Sequence, residues 1–279
     1  MKKPKMFAVL PTLLTLGNAT CGFGAITFAA KVGPEIAAGN EFFIAALLIF
    51  LAMVFDMLDG SAARWTNQTS EFGAELDSLC DVISFGIAPA FLMLQFIQAA
   101  HKQTLPFVYH PRLLWVIAAL FVVCVLLRLA RFNVETDEEN SHEFFSGLPS
   151  PAAAGTVAAF PIAMHGLPEI WETWLIPVIR IALPPITFAV ACLMVSRFRY
   201  VHVFNQLFRG RRSRQHVIQL VFTIALIYQV KELAVPMIFC YFAFSAPLRF
   251  VWMEVAGRLF SKSRWGGRPR HRKTADPPA

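Results

Sequence analysis

Four aspartates stand where the chain is otherwise apolar. The stretch from Phe42 to Phe55 runs almost without polar side chains, then meets Asp56, Asp59 and Gly60; Gly73, Asp77 and Asp81 follow. Asp56 and Asp59 are spaced i, i+3, and Asp77 and Asp81 i, i+4, so on helices each pair occupies one face. Two consecutive helices joined as a hairpin can turn these faces towards each other, and four carboxylates then converge. Carboxylates at membrane depth are costly and are kept where they face a cavity and are paired or bound to a cation. Left alone the four would repel strongly; a divalent ion removes the conflict. Mg²⁺ and Mn²⁺ prefer oxygen ligands and share their shell with substrate phosphates, and no His/Cys set nearby suits zinc. Gly60 and Gly73 leave room for a ligand to approach the backbone. Arg64, five residues after Asp59, offers a phosphate a planar fork.

The elements that must position these residues are membrane helices. Of 279 residues, 56% are apolar and only 15% charged, with 27 Phe. An average soluble domain carries about a quarter charged residues, and a chain this rich in Phe, Leu, Ile and Val is not disordered. Spans of roughly 20 apolar residues are expected near 8–30, 41–58, 79–100, 113–131, 150–166, 174–195, 216–230 and 232–255, the fifth and seventh being short. The fold expected is all-α, a polytopic membrane helix bundle occupying 1–260. A basic tail, 261–279, is expected to be disordered. Lys2, Lys3 and Lys5 before the first segment raise the possibility of a signal peptide, but Pro11, Asn18 and Gly22 within it suit a retained helix better. Cys21, Cys80, Cys124, Cys192 and Cys240 form no CxxC pair and read as buried small hydrophobes.

The formal charge of +7 comes from 25 Lys+Arg against 18 Asp+Glu. The basic residues gather at the ends of apolar segments, which suits anionic lipid head groups rather than nucleic acid. Nineteen of them fall at the N-terminus, the 2/3, 4/5 and 6/7 joints and the tail, against only Lys31, Lys102, Arg112 and Lys231 on the opposite side. By the positive-inside rule, both termini and the stretch from Asp56 to Asp81 are expected on the cytoplasmic side of the cell membrane.

The aspartates also carry a resemblance. Asp56-Met-Leu-Asp59-Gly60-Ser-Ala-Ala63-Arg64, followed after eight residues by Gly73, then Asp77 and Asp81, matches the CDP-alcohol phosphatidyltransferase signature DxxDGxxARx8GxxxDxxxD at every defined position. Outside the signature the chain resembles the bacterial membrane-type phosphatidylserine synthases. The matching stretches are Leu13 to Asn18 with Cys21-Gly22-Phe23, Asp81 to Ala90, Arg128-Leu-Ala-Arg131-Phe132-Asn133, and Phe145 to Gly155. The resemblance fades over the last third of the chain. It implies a six-helix core, here with about two further helices, and a homodimer. It implies transfer of the phosphatidyl group of CDP-diacylglycerol to the hydroxyl of L-serine, giving phosphatidylserine and CMP.

On that resemblance, two ions, Mg²⁺ or Mn²⁺, are held by Asp56, Asp59, Asp77 and Asp81, and Asp81 also acts as the proton acceptor. Asp59, Gly60, Ala63, Arg64, Ser70 and Gly73 contact the CDP-diacylglycerol, and Asn18 is a candidate to join them or to make a helix–helix hydrogen bond. Arg131, with Arg128 behind it, is the candidate cation for the serine carboxylate. Arg197 and Arg199 read as anchors or as holders of a lipid phosphate. The acidic run from Glu135 to Glu143 has no assigned role. Three other readings stand beside this one: the same chemistry on glycerol 3-phosphate or inositol, a cation transporter and an aspartyl intramembrane protease. The chain shows no second Asp cluster of the kind a transporter's repeated halves would carry, and a protease has no use for Arg64 or the second Asp pair.

Overall fold

The computed structural model describes residues 10–31, 38–66, 71–100, 109–136, 147–165, 169–198 and 231–264. These are helical throughout apart from short connections, with no strand among the described residues. The chain divides into two compact units, Met1–Ala243 and Phe244–Ala279. In the second, the described residues continue one helix to Arg264. In the first, α1 (Leu10–Ala30) lies along α2 (Ala38–Thr66). A third rod consists of α3 (Glu71–Asp81), a π-helical segment (Val82–Ile87) and α4 (Ala88–Ala100). α5 (Pro111–Thr136), α6 (Ser150–His165), α7 (Glu169–Val195) and α8 (Lys231–Arg264) complete the set.

Five helical stretches are long and apolar enough to cross a bilayer: Pro11–Ala30, Asn40–Ala62, Phe72–Ala99, Pro111–Val134 and Trp174–Val195. They make the chain a multi-pass membrane protein. α6 has 16 residues, about 24 Å of helix, short of the roughly 30 Å hydrocarbon core. It is surrounded instead, touching α2, α4, α5, α7 and the π segment. Its run of Ala, Gly and Thr allows that close approach: the Phe239 ring sits where a Cβ on Gly155 would be. The expected segment 216–230 lies outside the described residues, and the apolar part of α8 is the shorter Leu233–Arg249.

Two helix boundaries differ from the sequence expectation. α2 runs on past residue 58 to Thr66, and α3 begins at Glu71 rather than near 79. The run Gly60-Ser-Ala-Ala is polar or small enough to look like a helix exit, yet nothing in it breaks a helix, and Ser61 Oγ bonds back to the Met57 carbonyl at 2.8 Å. The sequence Glu71–Asp81 is amphipathic rather than apolar, so hydropathy alone misses it. Asp77 therefore lies well inside a helix, and Asp81 at the junction of α3 with the π segment.

The π segment was not anticipated. The Ala88 N–H bonds five residues back, to the Ile83 carbonyl. Pro89 follows; lacking an N–H, it cannot serve the Phe85 carbonyl, so the α-helical ladder is already broken there. A similar gap in α7 is filled from outside: Pro185 cannot donate to Ile181, and the Tyr109 hydroxyl does so at 2.6 Å.

The loop entering α6 is sewn to the end of α7. The Gly147 N–H donates to the Phe198 carbonyl at 2.9 Å and the Leu148 N–H to the Leu193 carbonyl at 3.1 Å. Gly147 has φ +90°, and a Cβ there would run into the Met194 carbonyl. Gly147→Ala should therefore destabilise the bundle by about 1–3 kcal/mol, read as a lower thermal midpoint in detergent.

Of the five cysteines, all free, Cys21, Cys80 and Cys124 are buried and Cys240 half-buried; Cys192 is exposed on α7, against expectation. It remains inside a membrane-spanning stretch, where the exposed face of a helix can meet lipid.

Candidate active site

The end of α2 and the first turns of α3 bring the carboxylates together. One oxygen each of Asp56, Asp59 and Asp77 lie within 4.8 Å of one another, and Asp81 lies within electrostatic reach of all three. Asp59 is 5% exposed and Asp81 8%, while Asp56 and Asp77 are half-buried. Asp59 Oδ2 and Asp77 Oδ1 are buried with no hydrogen-bond partner among the described residues. Buried anionic oxygens left without donors are costly. An all-oxygen donor set with two orphaned atoms fits a hard divalent cation.

α1 closes the site from the side. Thr15 is within hydrogen-bonding reach of Asp59 and also of the Pro11 carbonyl, 3.0 Å away. Its hydroxyl donates to that carbonyl and lies beside the Asp59 carboxylate. One turn on, Asn18 Nδ2 donates to Asp81 Oδ1 at 3.0 Å. Thr15 was given no role from sequence, although a signal existed: Thr15 and Asn18 share a face, i and i+3, on an otherwise apolar helix.

Gly60, exposed on α2, has nothing within 4 Å of where its Cβ would be. This open notch beside Asp59 suits the close approach of a ligand. Gly73 is half-buried on α3. Ala63 and Arg64 lie on the last turns of α2, with side chains outside the described residues, and Ser70 falls outside them altogether.

The C-terminal part of α5 faces the same end. Arg128 is half-buried; its Nη1 donates to Ser150 Oγ at 3.2 Å, its Nε is buried without a hydrogen-bond partner among the described residues, and it lies within electrostatic reach of Asp81. Arg131 is exposed. Asn133 ties α5 to α3, its Nδ2 donating to Ser78 Oγ at 3.1 Å, one residue after Asp77. Arg197 is exposed beyond the end of α7, and Arg199 lies outside the described residues. The joined set is thus a carboxylate cluster from α2 and α3, neutral hydrogen-bonding groups from α1 and a partly buried guanidinium from α5. It can hold divalent cations beside an anionic substrate and take up a proton.

Comparison with known proteins agrees with this chemistry. The family model described as CDP-alcohol phosphatidyltransferase matches residues 8–195. Similar proteins include the CDP-diacylglycerol–serine O-phosphatidyltransferase of Mycobacterium tuberculosis, 36% identical over 169 residues, 59% of this chain and 53% of that one. The archaetidylserine synthase of Methanothermobacter thermautotrophicus is 38% identical over 161 residues, covering 57% and 60% of the two chains. The CDP-diacylglycerol–serine O-phosphatidyltransferase of Helicobacter pylori is 35% identical over 146 residues, 52% and 54%. The chain spans about half the length of the curated relatives it matches.

Proposed function

The chain belongs to the CDP-alcohol phosphatidyltransferase family, and on that premise we propose that it transfers the phosphatidyl group of CDP-diacylglycerol to the hydroxyl of L-serine, forming phosphatidylserine and CMP. The observation that carries the reading is the convergence of the Asp56, Asp59 and Asp77 oxygens within 4.8 Å at the family's signature positions. Serine as acceptor is supported by the names of the relatives.

In this mechanism Asp56, Asp59, Asp77 and Asp81 would hold two divalent ions, Mg²⁺ or Mn²⁺. Bound there, they would supply neutralisation of the pyrophosphate and of the charge that develops on departing CMP. Asp81 takes the proton of the serine hydroxyl. That oxygen forms a bond to the phosphorus bearing diacylglycerol, and the bond from that phosphorus to the CMP oxygen breaks, its electron pair leaving with CMP. The notch at Gly60 admits the donor's phosphates, with Asp59, Ala63, Arg64, Ser70 and Gly73 completing the donor site. The reaction takes place at the cytoplasmic face, a placement supported by the asymmetry of Lys and Arg along the sequence, nineteen in the joints and termini of one side against four on the other. A homodimer is carried over from the family.

For the serine carboxylate, Arg128 is the stronger candidate of the two arginines. It is half-buried beside Asp81, with Ser150 holding one arm of its fork and Nε left over; Arg131 is exposed. Arg128→Lys keeps the charge and loses the planar two-pronged geometry. It should raise the serine KM by about tenfold, roughly 1.4 kcal/mol, with little change in the KM for CDP-diacylglycerol. Arg131→Lys should be the milder variant, and the reverse ranking would return the role to Arg131.

The function is tested by offering the purified protein CDP-diacylglycerol and Mn²⁺ with serine, glycerol 3-phosphate or inositol and reading CMP release. Release that depends on serine alone is expected. Release driven by either other alcohol would replace serine as the acceptor while keeping the family chemistry.

A further inference from the structure

We propose that Asn18 is a positioning residue for Asp81: its side-chain amide, carried on a main chain that Ser84 fastens, holds one carboxylate oxygen so that the other faces the acceptor hydroxyl. This rests on the reading of Asp81 as proton acceptor. Asn18 is fully buried at mid-length of α1, where a polar side chain is costly unless hydrogen-bonded. Its Nδ2 donates to Asp81 Oδ1 at 3.0 Å, a charge-assisted bond of the stronger kind. The amide orientation follows from this, since the flipped form would set oxygen against carboxylate.

Asn18 is itself held. The Ser84 hydroxyl donates to the Asn18 main-chain carbonyl at 2.9 Å, and Ser84 is fully buried. One turn along α1, a Cβ on Gly22 would lie 2.5 Å from Ser84 Oγ and 2.7 Å from Ser84 Cα, so only glycine permits this approach. Ser84 lies three residues after Asp81, inside the π segment. α1 is therefore fastened to Asp81 and to the turn that follows it. Two observations separate this from an ordinary helix–helix bond. The partner is a carboxylate in electrostatic contact with the other three aspartates. The amide's other end, Oδ1, is buried with no hydrogen-bond partner among the described residues, whereas a bond kept for stability would be expected to use both ends.

The test uses the full chain in detergent with three variants. Asn18→Ala removes the amide. Asn18→Asp keeps the shape and removes the donor. Ser84→Ala keeps the amide and releases its anchor. Wild-type serine-dependent CMP release is measured first; its absence would fail the proposed function, not the geometry of Asn18. Expected for Asn18→Ala is a kcat lower by about ten- to a hundredfold, with the KM for CDP-diacylglycerol changed less than about twofold. Mn²⁺ affinity, read by electron paramagnetic resonance without substrates, should stay at the wild-type value. Asn18→Asp should lose at least as much kcat, and Ser84→Ala a smaller, measurable part. A raised CDP-diacylglycerol KM at unchanged kcat would make Asn18 a donor contact. Mn²⁺ affinity reduced in proportion to activity would make it an organiser of the metal site. Full kcat with a lower melting temperature would make it structural. Each of these overturns the proposal. If Asn18→Ala does not fold, Asn18→Asp and Ser84→Ala decide by the same split between kcat and KM.

Discussion

Asp81→Asn should leave a protein that inserts, folds and still binds Mn²⁺ through Asp56, Asp59 and Asp77, with reduced affinity, yet turns over about a thousandfold more slowly at saturating Mn²⁺, within the range that a positioned general base contributes. The substitution is nearly isosteric, and the new amide oxygen can still accept from Asn18 Nδ2, so the fastening of α1 to the π segment survives. What disappears is the basic oxygen. Asp81 is only 8% exposed and lies one helical turn beyond Asp77, next to the cluster whose three oxygens fall within 4.8 Å. It is near enough to share the cluster's field and is separately held by α1. CMP release and Mn²⁺ binding, measured on one preparation, check this. A kcat within a few-fold of wild type would remove Asp81 from the proton transfer.

Asp59→Ala should be as damaging to activity for a different reason, and it should carry an opposite signature in stability. Asp59 is buried, and one of its oxygens has no hydrogen-bond partner among the described residues. Its loss should weaken Mn²⁺ binding by at least about 10–100-fold and lower kcat/KM by about a thousandfold. In chelator, however, the variant should melt higher than the wild type, because one of four mutually repelling carboxylates is gone. Adding Mn²⁺ should then raise the wild-type midpoint, by the equivalent of about 2.7 kcal/mol at a hundred times Kd, and the variant's at the same concentration by only about 0.4–1.4 kcal/mol. Equal melting responses to Mn²⁺ in the two proteins would mean that Asp59 is not a ligand.

The chemistry was more legible in the sequence than the helices that carry it. Asp56, Asp59, Asp77 and Asp81 announce themselves because ionisable groups in apolar surroundings are rare and helical spacing fixes which of them share a face. The helix ends were harder. A run such as Gly60-Ser-Ala-Ala signals an exit by polarity while remaining compatible with a helix, and Glu71–Asp81 is too polar for a hydropathy window yet is helical against its neighbours. The π segment has no sequence rule; Pro89 marks where the ladder must break but not how. Which of Arg128 and Arg131 is the more buried could not be read from spacing, because their burial depends on which face of α5 meets α6, where Ser150 waits. The position of Thr15 beside Asp59 was readable from its i, i+3 relation to Asn18, but only once α1 was known to lie beside the aspartates.

The most direct test of the account follows isotope-labelled serine into lipid. Purified full-length protein is given CDP-diacylglycerol, Mn²⁺ and labelled serine, and both CMP and lipid products are quantified by mass spectrometry, with a parallel sample in excess chelator. The account predicts one labelled phosphatidylserine for each CMP released, and neither product in chelator. CMP released without labelled lipid, or labelled phosphatidylserine formed at full rate in chelator, would contradict it.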